Sequence, residues 1–183
     1  MKILTGSLRG QKILFSPVVS LRPTADKVRK AIFDSLQGQV EGAEILDLFS
    51  GTGALGFEAL SLGAKHVTFV EADPALAGKI KENLSRLGLE GNAAVFNQDA
   101  LKTLRGLSEK NAHFDLVFLE PPYHLGLALK TIEVLGSSAL LKEGARVIAE
   151  CAKKEDLPAE CGRLKQVKMK IYGDAKTVHY AIE

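Results

Sequence analysis

The residues best suited to chemistry form the segment Glu120-Pro121-Pro122-Tyr123, which follows an apolar run. The two prolines lack backbone N–H donors and end strand pairing, so they leave rigid carbonyl groups at the end of the run. The Glu120 carboxylate and the Pro121 carbonyl can accept both hydrogens of a planar exocyclic amine, and Tyr123 can stack on the ring that carries it. An isolated di-proline would more simply end a strand, but its place after the fourth strand of an α/β pattern favours catalysis at an amine.

A glycine turn supplies the second candidate site. Gly51, Gly53 and Gly56 follow a buried strand, and they let the backbone approach a ligand and a helix pack closely on the sheet. The spacing fits the dinucleotide fingerprint, and Glu71 lies where that fingerprint places a ribose contact. The glycines alone do not separate NAD from S-adenosylmethionine, and a plain strand-to-helix turn is the simplest alternative.

Two further carboxylates favour S-adenosylmethionine. Asp47 lies in the strand before the glycines, where it could hold the amino group of this cationic cofactor but would repel a pyrophosphate. Asp99 can accept a hydrogen bond from an adenine amine or cap the following helix, and both roles can hold at once. Since no Ser-Tyr-Lys or other hydride-transfer set is evident, we predict a methyl-transfer cofactor rather than a nicotinamide.

Short apolar runs alternate with helical periods from residue 44 onward, which predicts a doubly wound α/β domain with a mostly parallel sheet. The predicted strands are 44–49, 66–71, 92–97, 114–119, 145–151 and an antiparallel hairpin of 163–172 and 176–182, and the predicted helices are 54–62, 74–87, 99–107 and 125–136. The pattern thus predicts seven strands. Ligands of such sheets bind at the carboxyl ends of the strands, where both candidate segments fall.

An N-terminal arm, residues 1–36, precedes this domain of residues 37–183 and is expected to pack on it as one structural unit. The arm is predicted as a hairpin over 3–15, a turn-rich stretch over 16–23 and a helix capped by Thr24 that ends near residue 36. The arm carries a net charge of +5, against −5 for residues 37–150 and +2 for residues 151–183. A basic arm on an acidic body suggests a polyanion partner, although an unevenly charged, solvated arm would look the same.

Composition limits the class of protein further. The chain has 183 residues, of which 46% are apolar and 25% charged, as is typical of one globular domain. No apolar run approaches the ~20 residues of a membrane span, and the first residues lack the apolar core of a secretion signal. Cys151 and Cys161 are the only cysteines and have no suitable histidine partners for a metal site. We expect a reduced, cytoplasmic, metal-free protein and favour a monomer.

The motifs together resemble those of the RsmD-like guanine-N2 methyltransferases of small-subunit ribosomal RNA. The resemblance covers nearly the whole chain and includes residues 6–10, 21–29, 46–60, 70–71, 120–123 and 172–174. The Arg22-Pro23-Thr24 segment discriminates best, because the glycine turn and the di-proline occur in many methyltransferases. The resemblance implies a Rossmann-like fold, S-adenosylmethionine as cofactor and 16S ribosomal RNA as substrate. We expect the RNA to be presented within a small-subunit particle or assembly intermediate.

The resemblance also implies roles for individual residues. Catalysis would fall to Glu120, Pro121, Pro122 and Tyr123. The cofactor site would comprise Asp47, Phe49, Ser50, Gly51, Thr52, Gly53, Glu71, Asp99 and Ala100. The RNA would be bound by Arg9, Arg22, Thr24 and Arg29 of the arm.

Position 120 departs from the family's usual pattern, which has Asp where this chain has Glu. Glu is longer by one methylene, roughly 1.5 Å, and a misplacement of about 1 Å at a reacting centre can lower a rate ~10²-fold. Either the loop compensates, or the target or the activity has changed. The alternatives are an adenine-N6 or protein-glutamine methyltransferase, a catalytically impaired RNA-assembly factor that still binds cofactor, and a nicotinamide-binding protein.

Overall fold

A computed structural model describes residues 1–15, 26–36 and 38–182. The helices are α1 Asp26–Ser35, α2 Ala54–Ser61, α3 Pro74–Leu87, α4 Ala100–Glu109 and α5 Leu127–Ser137, with a 3₁₀ turn at Glu90–Asn92. The strands are β1 Glu44–Leu48, β2 His66–Glu71, β3 Ala93–Asn97, β4 Phe114–Leu119, β5 Leu141–Ala152, β6 Glu160–Cys161, β7 Leu164–Tyr172 and β8 Ala175–Ile182.

The strands form one sheet of order β3-β2-β1-β4-β5-β8-β7-β6. Strands β1 to β5 are parallel, and β8, β7 and β6 add to them in antiparallel pairs. The predicted doubly wound α/β class and its antiparallel C-terminal hairpin are confirmed. The predicted strand count is wrong by one among the described residues, because Glu160–Cys161 pairs with the start of β7. Strand β5 also begins four residues earlier than predicted, where Leu141 pairs with Phe114 before a register shift.

Helices cover both faces of the sheet because the parallel strands are apolar on both sides. One buried cluster joins one face to α1, α2 and α3, with Ile32, Phe57 and Ile80 at its centre. The other cluster joins the opposite face to α4 and α5, with Leu104 and Ile132 at its centre. Helix α2 is buried along its whole length, as expected of a helix that is apolar nearly all round.

The N-terminal arm is attached to the rest of the domain through the side chain of Glu58 in α2. Within the arm, the antiparallel Lys2–Lys12 bridge and the hydrogen bonds of the Ile3 and Ile13 N–H groups to Gln11 and Met1 form a hairpin that is shorter than predicted. Glu58 is buried and accepts hydrogen bonds from the backbone N–H groups of Leu4 and Thr5 and from the Thr5 hydroxyl. The arm therefore packs on the helix that begins at the glycine turn. The predicted turn over 16–23 and the Thr24 cap lie outside the described residues.

Within the described parts of the chain, no helix is both long and apolar enough to cross a membrane.

Candidate active site

A cavity of about 780 Å³ opens at the carboxyl ends of the parallel strands. Its wall combines residues from the ends of β1, β2, β3 and β4 with residues of α1 and the C-terminal hairpin. Among the predicted site residues, those that line it are Phe49, Ser50, Gly51, Thr52, Glu71, Asp99, Ala100, Glu120, Pro121, Pro122 and Tyr123. The topology therefore brings the predicted cofactor segment and the predicted catalytic segment together in one space.

The turn after β1 is strained at the cavity wall. Phe49 has a φ of 59°, and Gly51 and Gly53 have φ values of 54° and 76°. A left-handed conformation at a bulky residue costs of order 1–3 kcal/mol and is found mainly at functional sites. Gly56 serves packing instead, because a Cβ there would overlap the Phe69 ring. The turn thus presents backbone groups to the cavity at some expense in local stability.

Asp47 lies beneath this turn rather than in the cavity wall. Its side chain is buried, and Oδ2 accepts a hydrogen bond from the Gly56 N–H at 3.1 Å. Burial raises the pKa of Asp47 to about 7, against a smaller opposing effect of the Gly56 hydrogen bond, and the charge of Glu71 raises it further. In the described geometry Asp47 holds the start of α2 through Gly56, and the Gly53 N–H donates to the Ser50 carbonyl within the turn. Both residues are absent from the wall. Their predicted direct contacts with a cofactor stay predictions.

Glu71 connects the end of β2 to the glycine turn. Its Oε2 accepts from the Gly51 N–H at 2.7 Å, and its Oε1 accepts from the Asp73 N–H at 2.8 Å. Since each carboxylate oxygen has a second lone pair, Glu71 can hold the turn and still accept from a ribose hydroxyl in the cavity.

Asp99 caps helix α4 by accepting from the Lys102 N–H at 2.9 Å. It also lines the cavity beside Ala100, so the capping role and a cofactor contact are compatible. Gln98 is a further polar residue of this part of the wall.

The predicted catalytic segment leaves β4 in an irregular conformation. The Glu120 N–H donates to the Leu48 carbonyl at 3.4 Å, and His124 has a φ of 65°. The Tyr123 hydroxyl donates to Oε1 of Glu150 at 2.9 Å. Burial, followed by the negative charge of Glu150, raises the pKa of Tyr123, so the hydroxyl remains protonated. Two prolines and this hydrogen bond fix the loop around Glu120.

Glu150 is a site residue that the sequence predictions missed. It lies near the end of β5, lines the cavity and is 8% exposed, and burial raises its pKa. A carboxylate in the otherwise apolar run 147–152 was the available signal. Tyr172 and Asp174 of the hairpin and Val28 of α1 also line the cavity.

The predicted RNA-binding residues of the arm fall into three groups. Arg9 is exposed, as an RNA contact requires. Arg22 and Thr24 lie outside the described residues. Arg29 is 1% exposed, and its Nη2 donates to the Lys2 carbonyl at 2.9 Å, while its Nε lies 3.4 Å from Oε2 of Glu58. The prediction that Arg29 binds RNA is therefore wrong, because its guanidinium is enclosed between the arm and α2.

The described residues contain no group of three or more His, Cys, Asp or Glu side chains arranged to hold a metal ion.

The sheet order, the strained glycine turn after β1 and the di-proline after β4 define a Rossmann-like methyltransferase domain. The family described as conserved hypothetical protein 95, which is the RsmD family, matches residues 1–181. The chain belongs to this family, and the predicted resemblance is confirmed.

Three similar proteins illustrate the relationship. Ribosomal RNA small subunit methyltransferase D of Haemophilus influenzae is 40% identical over 158 residues, which cover 86% of this chain and 81% of that protein. The solved structure of YhhF of Escherichia coli, provisionally described as a methyltransferase, has a TM-score of 0.89 at 33% identity and covers 100% of this chain and 98% of its own. The structure of SMU.776 in complex with S-adenosylhomocysteine shares the fold, with a TM-score of 0.63 at 16% identity over 85% of this chain and 48% of its own.

Proposed function

We propose that the protein transfers a methyl group from S-adenosylmethionine to the exocyclic N2 of a guanine in small-subunit (16S) ribosomal RNA. The observation that carries this proposal is that Glu120, Pro121 and residues of the glycine turn line one cavity. The activity named for the Haemophilus relative supports the substrate class.

The cavity fits the cofactor by volume and by the chemistry of its wall. A volume of about 780 Å³ lies within the ~300–1,000 Å³ of small-molecule sites. Gly51 would hold the methionine part through its backbone, Glu71 would accept from the ribose, and Asp99 with Ala100 would contact the adenine. Bound there, the cofactor supplies a methyl carbon activated by its sulfonium.

The chain's own residues orient the base. The Glu120 carboxylate and the Pro121 carbonyl accept the two N2 hydrogens, so the nitrogen lone pair points across the cavity toward the glycine turn. Tyr123 stacks on the guanine after it has turned out of the RNA. The hydrogen bonds from the His124 N–H to Glu155 and from the Tyr123 hydroxyl to Glu150 hold this loop in place before the base arrives. The proton leaves N2 after attack, to Glu120 or to water.

The substrate is proposed to be an assembled or partly assembled small-subunit particle, reached in the cytoplasm by a monomer that needs no metal. The burial of Arg29 leaves the arm with fewer basic groups for naked RNA, which strengthens the preference for a particle. No specific observation favours adenine N6 or a protein glutamine over guanine N2.

The substrate class is tested by transfer of labelled methyl to four acceptors: undermodified small subunits, naked ribosomal RNA, DNA and ribosomal proteins. We expect label in the RNA of the particles and little in DNA or protein. Label confined to protein would overturn the proposal. Cofactor binding in a thermal-shift assay with no label in any acceptor would point to the impaired assembly factor.

A further inference from the structure

Strand β7 carries an exposed basic row on the face of the sheet that packs against α1. Lys168 and Lys170 are exposed, and they pair across the ladder with His179 and Thr177 of β8. His179 pairs in turn with Ile148 of β5, a member of the core cluster on the α1 side. Because side chains of paired residues share a face, the two lysines stand on the α1 side.

A β-bulge at Val167 gives the lysines this direction. Gln166 pairs with Tyr180, but Lys168 already pairs with His179, so Val167 is the extra residue. Tyr180 belongs to the cluster on the opposite face, whereas Lys168 follows the α1 face. A strand with no extra residue would keep positions 166 and 168 on one side, so the bulge re-aims the basic side chains.

The basic row borders a hollow of about 240 Å³. Arg146, Lys168 and His179 line it together with Ser35 and Gln39 near the end of α1. His179 is 6% exposed, and burial together with the positive charges of Lys168, Lys170 and Arg146 lowers its pKa to about 4. The hollow therefore has a neutral imidazole in its wall, and the positive charges of Arg146, Lys168 and Lys170 act on this imidazole.

The three cations have no compensating partner within the part of the chain that the structure describes. Among the described residues, none of Arg146, Lys168 and Lys170 forms an ion pair or side-chain hydrogen bond. Unpaired like charges held close together raise each other's energy, and an anion placed between them removes that repulsion. Arginine and lysine beside an open hollow are the usual receptors for a phosphate.

We propose that Arg146, Lys168 and Lys170 form a phosphate-binding track that holds the RNA backbone next to the modified nucleotide. The proposal rests on the proposed function, since it takes the cavity as the place of the target base. Strand β7 ends at Tyr172, which lines that cavity. At ~3.3 Å per residue, Lys170 lies about 7 Å and Lys168 about 13 Å along the strand from Tyr172. These intervals suit the phosphates of the next two nucleotides in an extended strand.

The track adds to the exposed positive charge of the arm. With Arg29 buried beneath the arm, its guanidinium is not available to phosphate. The lysines of β7 are exposed, and their strand runs to the edge of that cavity at Tyr172. Part of the RNA contact is thus assigned to the C-terminal hairpin instead of the N-terminal arm.

The test is the salt dependence of RNA binding for the double variant Lys168→Ala, Lys170→Ala. With each lysine neutralising one phosphate of a single strand, the slope of log K against log salt falls in magnitude by about 1.4, and affinity at ~0.1 M salt falls about tenfold. The matched control is Arg105→Ala, Lys110→Ala, which removes one exposed cation from α4 and one from the residue that follows it, on the opposite face. The control leaves the slope unchanged, and S-adenosylmethionine affinity is unchanged in both variants.

An unchanged slope in the β7 variant, or an equal loss in the control, would overturn the track. A loss seen with particles but absent with protein-free RNA would assign the lysines to a ribosomal protein and also overturn it. Failure of the proposed function is separable, because it appears as absence of methyl transfer by the wild type while the binding slopes remain measurable.

Discussion

Replacing Glu58 by Ala removes the side chain that attaches the arm to the methyltransferase domain. The carboxylate accepts from the Leu4 N–H at 3.0 Å and from the Thr5 N–H and hydroxyl at 2.6 and 2.5 Å. It also faces the buried guanidinium of Arg29 at 3.4 Å. Removing one partner of a buried ion pair costs about 3–5 kcal/mol. The exposed Asp26 still pairs with Arg29 Nη2 at 3.0 Å, but the hydrogen bonds to Leu4 and Thr5 are lost as well, so a loss of this size is expected.

The measurement is urea unfolding of the wild type, Glu58→Ala and Glu58→Gln at pH 7. We expect Glu58→Ala to lower the free energy of unfolding by about 3–5 kcal/mol. In thermal unfolding, Tm should fall by roughly 2–4 °C for each kcal/mol lost. Glu58→Gln keeps an acceptor oxygen and should lose less. Arg29→Met removes the buried guanidinium that Glu58 would otherwise neutralise. Combining it with Glu58→Ala should therefore recover part of the lost free energy of unfolding.

A loss below about 1 kcal/mol for Glu58→Ala would refute this account of how the arm is held, since that is the size of one ordinary hydrogen bond. The same variants test the corrected role of Arg29. Arg29→Met should change stability while leaving the salt dependence of RNA binding unaltered. A reduced slope in a folded Arg29→Met protein would restore Arg29 as an RNA contact.

Three further predictions concern the cavity and the turn beside it. Burial raises the pKa of Asp47 to about 7 in the folded protein, whereas the unfolded chain releases this proton near pH 4. The contribution of Asp47 to the free energy of unfolding is therefore full below about pH 4 and is lost as the pH rises to 7. Unfolding of wild type and Asp47→Asn at pH 5 and pH 8 should show a smaller pH difference in the variant, and equal differences would contradict the burial argument. Glu71→Ala should weaken S-adenosylmethionine binding about tenfold or more, because it removes both a ribose acceptor and the hydrogen bond to the Gly51 N–H. Calorimetry measures this affinity, and an unaltered value would exclude Glu71 from the cofactor site. Tyr123→Phe should retain most transfer activity, since the ring can still stack and only the hydrogen bond to Glu150 is lost. Tyr123→Ala should raise KM for RNA by about tenfold or more, because it removes the ring. Equal effects of the two variants would argue against stacking.

The sequence allowed the parallel part of the fold to be predicted because each strand and each crossover helix has its own apolar period. The position of the site followed from topology, since parallel strands end at one edge of the sheet. Strand β6 could not be predicted, because two residues carry no period and Glu160–Cys161 is a strand only through its pairing with the start of β7. The start of β5 was missed for the same reason, as its first residues pair through an irregular register.

Side-chain roles were predicted less well where burial depends on distant partners. Arg29 looks like an exposed basic residue in the sequence, but Glu58, 29 positions away, encloses it. The Tyr123–Glu150 hydrogen bond likewise joins residues 27 positions apart on neighbouring elements. The direction of Lys168 depends on a bulge that no local pattern reveals. Such contacts arise from tertiary packing, which single-sequence periodicity does not contain.

The most direct test of the central claim is mass-spectrometric identification of the methylated nucleoside formed on undermodified small subunits by the wild type and by Glu120→Ala. The account predicts N2-methylguanosine with the wild type and at least a ~10²-fold slower reaction with Glu120→Ala, which should still bind S-adenosylmethionine normally. Formation of N6-methyladenosine, or full activity of Glu120→Ala, would contradict it.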